Sequence, residues 1–532
     1  MTKKIFLDIA LSRIPYILSL QDRNPFSPTY GSFDREFWQY KKSDTPYASL
    51  QGAVLSLALL YKNKLPKNPY YNNKRILEWI IAGLRFLIKI QKKDGSFDEY
   101  YPNEKSYIGT ALAMYPCAEA FYLVRDEIKI DDKKRIMKMF ERSADFLSKN
   151  IEPKVLNQET MATLAIYCIN QILKKTELKN SFEKKLKFVL KSQTKEGWFP
   201  EYGGCDVGYL SYTIDFLATY YKKSKDKRVI KPLNRAIEFI SYLLHPNGTA
   251  GGEYTARNTE YLVPHGFGIM AKFNPLSNSI VQFISKSLNE KNMVSPNVMD
   301  NRYVPIYLHQ YIQTFLDYTA KNNKRKLLPF ERKEDFKKYF QEAGILIKKS
   351  MNKYIIIGTK KGGVIRAYDC KNNKILFSDC GYIIKNKNKI ASSAYWDNKR
   401  EIRVKRDYVM ISGRFHNIKW VVPTVLKHIA LRFILVHGCI SKPIRELIKK
   451  ILITRKNLDN ARFTREILFR KDRVTIYDTI ISKTKIKIFS IDKFSFRYIP
   501  SSKFFQRQEI KIRGVRFRGY QKKIKLIQSI RL

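Results

Sequence analysis

The sequence predicts an α+β protein of more than one domain, with an N-terminal toroid of paired helices followed by a C-terminal antiparallel β-sandwich. Up to about residue 320, apolar residues recur at helical spacing and turn-rich loops separate the helical runs. From residue 346 the pattern changes to short β-branched runs set off by Gly, Asn and Asp. With 532 residues the chain is also too long for one ordinary core.

The helical part repeats about every fifty residues. It begins with an amphipathic helix at residues 5–20. Loops fall near residues 40, 95, 152, 197, 248 and 298, and two helical runs lie between consecutive loops. The clearest runs span residues 48–61, 76–90, 107–124, 133–147, 159–173 and 182–190. A helical hairpin must bury its apolar face against its neighbours, so about six hairpins are expected to close into an (α/α) toroid.

A ten-residue repeat marks two of the loops. Residues 91–100 read QKKDGSFDEY and residues 193–202 read QTKEGWFPEY, with six positions identical. A looser copy, NGTAGGEY, ends at Tyr254. An open superhelix of similar helix pairs is the alternative to a toroid. The long aromatic loops favour the toroid, because open solenoids usually have short, uniform turns.

The domain boundaries follow from the change of pattern. We expect the toroid over residues 1–328, a linker with a short helix (331–342) over 329–345, and the β-sandwich over 346–532. Strand-like runs lie at 353–359, 363–368, 374–378, 401–412, 466–469 and 473–481. The segment LFRKDRVTIYDTI reads as two strands around a Lys-Asp turn.

The net charge is strongly positive and is distributed unevenly along the chain. The net charge is +52, and about +34 of it lies after residue 330. Such asymmetry indicates a polyanionic partner, although a coding bias toward Lys, Ile and Asn accounts for part of it. No recognised DNA- or RNA-binding motif accompanies the charge, so a nucleic-acid partner is not expected.

The remaining composition indicates a cytoplasmic protein. Six cysteines are scattered without a CxxC pair, which argues against a disulfide framework and a structural zinc site. The first helix is too polar for a signal peptide, and no stretch approaches 18 uncharged apolar residues. We expect no membrane span and no cofactor, and leave open a zinc or calcium ion in the β-domain.

One stretch concentrates groups that can hold or move a proton. Residues 248–267 read GTAGGEYTARNTEYLVPHGF and include four glycines. Glycines let the backbone approach a ligand closely, and polar loops on a rigid scaffold often carry sites. The stretch is expected to line a cleft for an acidic sugar chain. The alternative is an ordinary loop in which Arg257 pairs with Glu253 or Glu260.

Several motifs, in this order, resemble the heparinase II/III-like family of toroid polysaccharide lyases, which are related to alginate and chondroitin lyases. The motifs are GSFDREFWQYK at 31–41, NQE at 157–159, GYLSY at 208–212, RNTEYLVPHGF at 257–267, EAGI at 342–345 and KKGGVIRAYD at 360–369. The resemblance implies β-elimination on a uronic-acid polysaccharide. In that reaction the carboxylate beside C5 must be neutralised, a base removes the C5 proton, and an acid protonates the departing oxygen.

The resemblance also implies roles for particular residues. An Asn engages the carboxylate in such lyases, which Asn157 matches, and a Tyr acts as base. Tyr209 is the first candidate, Tyr212 the second and Tyr261 the third. A phenol titrates near about 10, so cations must lower its pKa. Arg257 could supply that field and bind the carboxylate through two hydrogen bonds.

Two further positions bear on the proton transfer. His265 matches the PHG position of the family and is a candidate for the second proton-transfer group. Many family members have His directly after the Asn, whereas Gln158 stands here, and an amide cannot exchange a proton at neutral pH. The candidate substrate-binding residues are Gln158, Tyr212, Asn258, Glu260, Tyr261, Trp198 and Tyr202.

Each of these residues also has a structural interpretation. Asn157 can be a helix cap, Tyr209 can line a wall, His265 can be a hydrogen-bonded structural histidine, and Trp198 can cover the toroid core. Two alternative functions remain open. A uronyl C5-epimerase uses the same proton abstraction, and a catalytically degenerate protein could bind acidic polysaccharide in a surface-polysaccharide pathway. An isoprenoid cyclase is discounted because DxDD and DDxxD are absent.

Overall fold

The computed structural model describes most of the chain. The described residues are 2–319, 325–387, 389–418, 424–436, 443, 447, 458–470, 473–492, 503–505 and 515–531. Parts of the expected charged linker, of the Lys-Asp turn at 471–472 and of the basic tail lie outside these ranges, as do His437 and Cys439.

The N-terminal part is helical, as expected. Its helices are α1 Lys4–Leu20, α2 Arg35–Trp38, α3 Ala53–Lys62, α4 Lys74–Ile90, α5 Tyr107–Val124, α6 Ile130–Lys149, α7 Leu156–Leu173, α8 Thr176–Lys191, α9 Val207–Ser224, α10 Ile230–Ser241, α11 His265–Met270, α12 Pro275–Asn289 and α13 Val304–Asp317. No helix of the described ranges is long and apolar enough to span a bilayer.

The helices form a closed double ring. Helices α3, α5, α7, α9, α11 and α13 each contact the next, and α13 returns to contact α3. Behind them lie α4, α6, α8, α10 and α12, and α1 packs behind α13. An inner helix such as α9 is buried along its length from 207 to 220, whereas outer α10 buries one stripe. The predicted toroid of six hairpins is confirmed, the sixth being formed by α13 and α1.

The ten-residue repeat has a packing cause. Gly95 and Gly197 have φ values of +87° and +101°, and a Cβ at Gly95 would lie 2.0 Å from the carbonyl oxygen of Arg142 on α6. Gly197 approaches the backbone of α10 in the same way. The side-chain nitrogens of Gln91 and Gln193 donate to carbonyls of these two helices at 2.8 Å. Each copy therefore fixes its loop against the outer helix of the hairpin that follows it, α6 for the first copy and α10 for the second.

The C-terminal part consists of antiparallel strands. They are β1 Phe336–Phe340, β2 Ile345–Ser350, β3 Lys353–Gly358, β4 Val364–Asp369, β5 Lys374–Asp379, β6 Tyr382–Asn386, β7 Lys389–Ser392, β8 Glu401–Lys405, β9 Tyr408–Asn417, β10 Leu458–Phe469, β11 Arg473–Ile491 and β12 Val515–Arg531. A helix, α14 Val425–Val436, lies between β9 and β10.

The strands form two sheets. The first has the order β1-β2-β3-β4-β5, and the second contains β6 to β12, with β10 paired to both β9 and β11. Side chains such as Ile355 and Ile365 of the first sheet share a buried core with Ile411 and Ile476 of the second. The two sheets therefore pack face to face, as the predicted β-sandwich requires.

The prediction of a linker helix over residues 331–342 is wrong. A single 3₁₀ turn at Pro329–Glu331 is followed by strand β1, which pairs with β2. The ring of Phe340 packs 4.9 Å from Phe239 and 5.3 Å from Tyr242 of the toroid. Pairing and aromatic contacts between the domains override the helical propensity of this charged segment.

Candidate active site

The β-sandwich covers the loops at one mouth of the ring, beside α9. The indole nitrogen of Trp396 donates to the carbonyl of Gly203 at 3.1 Å. In the same loop, the carboxylate of Glu196 accepts the backbone N–H of Ala343 at 2.8 Å. The mouth is therefore built by both domains.

Asn157 lies in the first turn of α7 and is held by a buried glutamate. Its backbone N–H and its side-chain nitrogen donate to the two carboxylate oxygens of Glu201, at 2.8 and 3.2 Å. Glu201 is fully buried, and burial raises its pKa well above the usual range, with the charge of Asp206 adding to the rise. Burial therefore favours the neutral form of this carboxyl, which still accepts hydrogen bonds.

Asp206 joins the start of α9 to the loop that follows α10. It caps α9 by accepting the backbone N–H of Tyr209 at 3.3 Å. Its other oxygen accepts the backbone N–H of Arg257 at 3.2 Å and the hydroxyl of Thr255 at 3.1 Å. A buried carboxylate with several donors holds two distant segments in a fixed relation. The backbones of Tyr209 and Arg257 are thereby held by the same side chain.

The side chain of Arg257 lies over an aromatic ring of the repeat loop. Its guanidinium carbon is 4.6 Å from the ring centre of Tyr202, within the range of a cation–π contact. Tyr202 and Arg257 are both partly exposed, as are Gln158 and Asn258. This cluster is the polar, partly accessible surface at the mouth.

Lys361 brings a second cation from the β-domain. It follows β3 and donates from Nζ to the side-chain oxygen of Asn258 at 2.8 Å. Burial lowers its pKa to about 7, and the charge of Arg257 adds to the effect while Asp206 opposes it. Lys361 is therefore near its titration midpoint at neutral pH.

All three candidate tyrosines are largely buried. Tyr209 is 9% exposed, Tyr212 6% and Tyr261 1%, and the last two pack with Tyr307 in an aromatic group. Burial raises the pKa of Tyr212 and of Tyr261 well above that of a free phenol. A base needs the opposite shift, and both residues pack in this buried aromatic group, so a substrate-binding role for either stays a prediction.

His265 does not take the predicted position. It is fully buried, with Nδ1 2.8 Å from Asp215 on α9 and Nε2 2.8 Å from Asp317 on α13. Burial would lower its pKa, but the two carboxylates overcome that effect and raise it to about 9. The histidine holds three inner helices together, and both of its nitrogens are engaged away from the mouth.

Two other predicted residues are occupied by internal contacts. The guanidinium of Arg366 on β4 contacts the carboxylate of Glu253 and lies 3.4 Å from Glu260. All three side chains are buried or nearly so. Much of the stretch 248–267 is therefore a joint between the domains. Trp198 is likewise buried in the toroid core and donates to Glu196 at 3.1 Å.

Three residues of the site were missed by the sequence analysis, namely Glu201, Asp206 and Lys361. Glu201 had a usable signal, because it occupies the ninth position of the repeat, where the first copy has Glu99. Glu99 is also buried, and it accepts a bond from the hydroxyl of Ser106 at 2.8 Å. Within the described ranges, no group of three or more His, Cys, Asp or Glu side chains is placed to hold a metal ion.

Comparison with solved structures identifies the fold. A chondroitin AC lyase of Streptomyces coelicolor A3, solved with chondroitin sulphate, superposes with a TM-score of 0.58 at 9% identity, covering 92% of this chain and 68% of that one. A Paenibacillus xanthan lyase gives 0.57 at 10% identity, covering 92% and 46%. The chain thus spans about two thirds of the first enzyme and less than half of the second.

No protein-family model matches the sequence, and neither does any curated protein. The structural likeness nevertheless extends over both domains, since it covers 92% of the chain. The closed ring, the packed sheets and these superpositions agree with the resemblance found in the motifs. The chain has the fold of the toroid polysaccharide lyases.

Proposed function

We propose that the protein is a polysaccharide lyase that cleaves an acidic, uronic-acid-containing polysaccharide by β-elimination. The observation that supports this proposal is that Asn157 hydrogen-bonds Glu201, while the backbones of Tyr209 and Arg257 hydrogen-bond Asp206 in the same loop. The two named lyases that share the fold support the reaction class.

The first requirement is a group that neutralises the substrate carboxylate. Arg257 is partly exposed and offers a planar fork that fits a carboxylate. The side-chain amide of Asn157 has two N–H groups, and its bond to Glu201 uses one of them. Arg257 and Lys361 supply positive charge that attracts a uronate, and the buried Asp206 offsets part of it.

The second requirement is proton transfer, which we assign to Tyr209. As phenolate it takes the C5 proton, the C5 electrons form the C4=C5 double bond, and the C4–O bond breaks. The phenol then returns its proton to the departing oxygen, so the side chain ends as it began. The step needs a cation near the phenol, a role we give to Arg257, whose backbone is held by the same aspartate as the backbone of Tyr209. With His265 turned inward, one tyrosine serves as both base and acid.

The test is the ultraviolet absorbance of the conjugated product. The full-length protein is incubated with alginate, polygalacturonate, chondroitin and hyaluronan, and one of them is expected to give a rising signal. Tyr209→Phe should reduce the rate by about a hundredfold or more. Tyr71→Phe, an exposed tyrosine on the α3–α4 connection, is the matched control and should retain the rate.

Other outcomes reject the lyase. Solvent deuterium entering C5 without an absorbance change would indicate a uronyl C5-epimerase. Binding of a polyuronate without either signal would indicate a protein that only binds the polymer. Equal rates for wild type and Tyr209→Phe would remove the tyrosine from the mechanism.

A further inference from the structure

A cavity of about 240 Å³ lies between the two sheets of the β-sandwich. Its lining comes from β2 and β3 of the first sheet, and from the β8–β9 turn and the end of β10 in the second. We call it the sandwich cavity. Lys353 lines it at the start of β3, whereas Lys361 of the mouth follows the other end of that strand. At about 3.3 Å per residue, β3 alone separates the two by roughly 17 Å, so the sandwich cavity is distinct from the mouth.

The floor of the sandwich cavity is apolar. Ile355 and Phe469 line it, are 2% and 7% exposed, and belong to the core that the two sheets share. The ammonium group of Lys348 lies 4.4 Å from the ring centre of Phe469, within the range of a cation–π contact. Core packing therefore fixes the floor, and the aromatic ring in turn holds one cation of the rim.

The rim of the sandwich cavity carries both signs of charge. Three cations line it, Lys348, Lys353 and Arg470, together with the carboxylate of Asp407. Lys348 pairs with Asp407 at 2.7 Å, and Lys353 makes a longer ion pair of 3.6 Å with Asp369. The side chain of Asp407 is 55% exposed, so the carboxylate can accept further hydrogen bonds from a ligand. The rim thus offers donors with positive charge beside one accessible acceptor.

This combination selects among possible ligands. An inorganic anion would engage the cations, but Asp407 would repel it and the apolar floor would make no contact of use. A neutral sugar would fit the floor and the carboxylate, but it would bring no charge to Lys353 and Arg470. A sugar acid uses every part of the lining, because it has a carboxylate, hydroxyl groups and an apolar ring face. Sites for drug-sized ligands run from about 300 to 1,000 Å³, so a smaller cavity suits one sugar ring.

We propose that the sandwich cavity is a second binding site, which takes a single uronate residue. The carboxylate of the uronate pairs with Arg470 and Lys353, and its hydroxyl groups donate to Asp407. Its ring lies on the floor formed by Ile355 and Phe469. The site performs no chemistry, and it does not depend on the lyase activity proposed for the mouth.

The experiment follows the methyl group of Met351 by NMR in the full-length protein with isotope-labelled methionines. Met351 lines the sandwich cavity and is 58% exposed, so its methyl group reports on this site and not on the mouth. Its signal is assigned by its loss in Met351→Leu. Galacturonate should shift that signal in a saturable way, whereas galactose and inorganic phosphate, at the same ionic strength, should not. The signal of Met137, on outer helix α6 of the toroid, should stay in place.

A pair of charge-matched variants tests the contact with the carboxylate. Arg470→Gln should weaken galacturonate binding about tenfold or more, because a charge-assisted hydrogen bond is lost. Arg75→Gln removes the same charge from an exposed position at the start of α4 and should bind like wild type. Both side chains are exposed, so the unfolding midpoints should match wild type.

Three results would overturn the proposal. The first is a Met351 signal that does not respond to galacturonate. The second is an equal response to galactose or to phosphate, which would assign the cavity to neutral sugars or to simple anions. The third is equal affinity of Arg470→Gln and Arg75→Gln. Because the readout is local, a protein without lyase activity could still pass this test, and an active lyase could fail it.

Discussion

The inward position of His265 leads to a specific prediction about stability and pH. The pKa of this histidine rises from 6.5 to about 9 in the folded protein because of Asp215 and Asp317. A raised pKa means that the folded state binds the proton more tightly than the unfolded chain. The resulting stabilisation is complete below pH 6.5 and is lost as the pH rises through about 9.

The magnitude follows from the two pKa values. A difference from 6.5 to about 9 corresponds to about 3 kcal/mol of unfolding free energy. Replacing His265 with Gln removes the titrating group. The difference in stability between wild type and His265→Gln should therefore be about 3 kcal/mol larger at pH 6 than at pH 9.5.

Urea unfolding followed by tyrosine and tryptophan fluorescence measures that difference. His309→Gln is the matched control, since His309 is also fully buried on α13, but burial lowers its pKa to about 4. His309 is neutral in the folded protein over this range, but in the unfolded chain it still titrates near 6.5, so the wild-type-minus-His309→Gln difference should rise by about 1 kcal/mol from pH 6 to pH 9.5, opposite in sign to the His265 effect. A wild-type-minus-His265→Gln difference that does not fall between pH 6 and pH 9.5 would refute the proposed role of the His265 ion pairs.

Three further predictions concern other buried groups. Arg366→Ala leaves the carboxylates of Glu253 and Glu260 buried without their cation and should cost about 3–5 kcal/mol of unfolding free energy. The control Arg403→Ala breaks an exposed ion pair and should cost under about 1 kcal/mol. Equal losses in urea unfolding would contradict a buried ion-pair contact between the domains. Polyuronate affinity should fall as the pH rises through about 7, where Lys361 loses its charge, and in Lys361→Met calorimetry should show no such step. Glu201→Gln should keep most of the turnover because it retains the side-chain oxygen that accepts the backbone N–H of Asn157, while Glu201→Ala should lose about tenfold or more because Asn157 is released. Measurements of kcat/KM in which both variants behave alike would argue against this positioning role.

The local sequence pattern was sufficient to predict much of the fold. The period-fifty alternation of helices and loops predicted the ring, and the run at 107–124 coincides with Tyr107–Val124 of α5. The repeat was visible because glycine recurs at the same position of both copies. Gly95 and Gly197 need φ values that other residues rarely adopt, which explains the recurrence. The helix prediction failed at Phe336–Phe340 because this strand is specified by its pairing with β2, and sequence periodicity does not report such pairing.

The site was only partly predictable because its contacts join distant segments. Asn157 and Glu201 are 44 positions apart, and Lys361 and Asn258 are 103 apart. A histidine in a glycine-rich loop has the same sequence signature whether it points to a cleft or into the core. What decided the case of His265 was the presence of two carboxylates on other helices.

The central claim is that the mouth of the ring recognises a uronate and removes the proton beside its carboxylate. It is tested most directly by comparing a polyuronate with the same polymer after carboxyl reduction, using the initial rate of unsaturated product and the binding affinity. Wild type should process the polyuronate, and it should neither bind nor cleave the reduced polymer. Equal binding of the two polymers, or no product from any uronate, would contradict it.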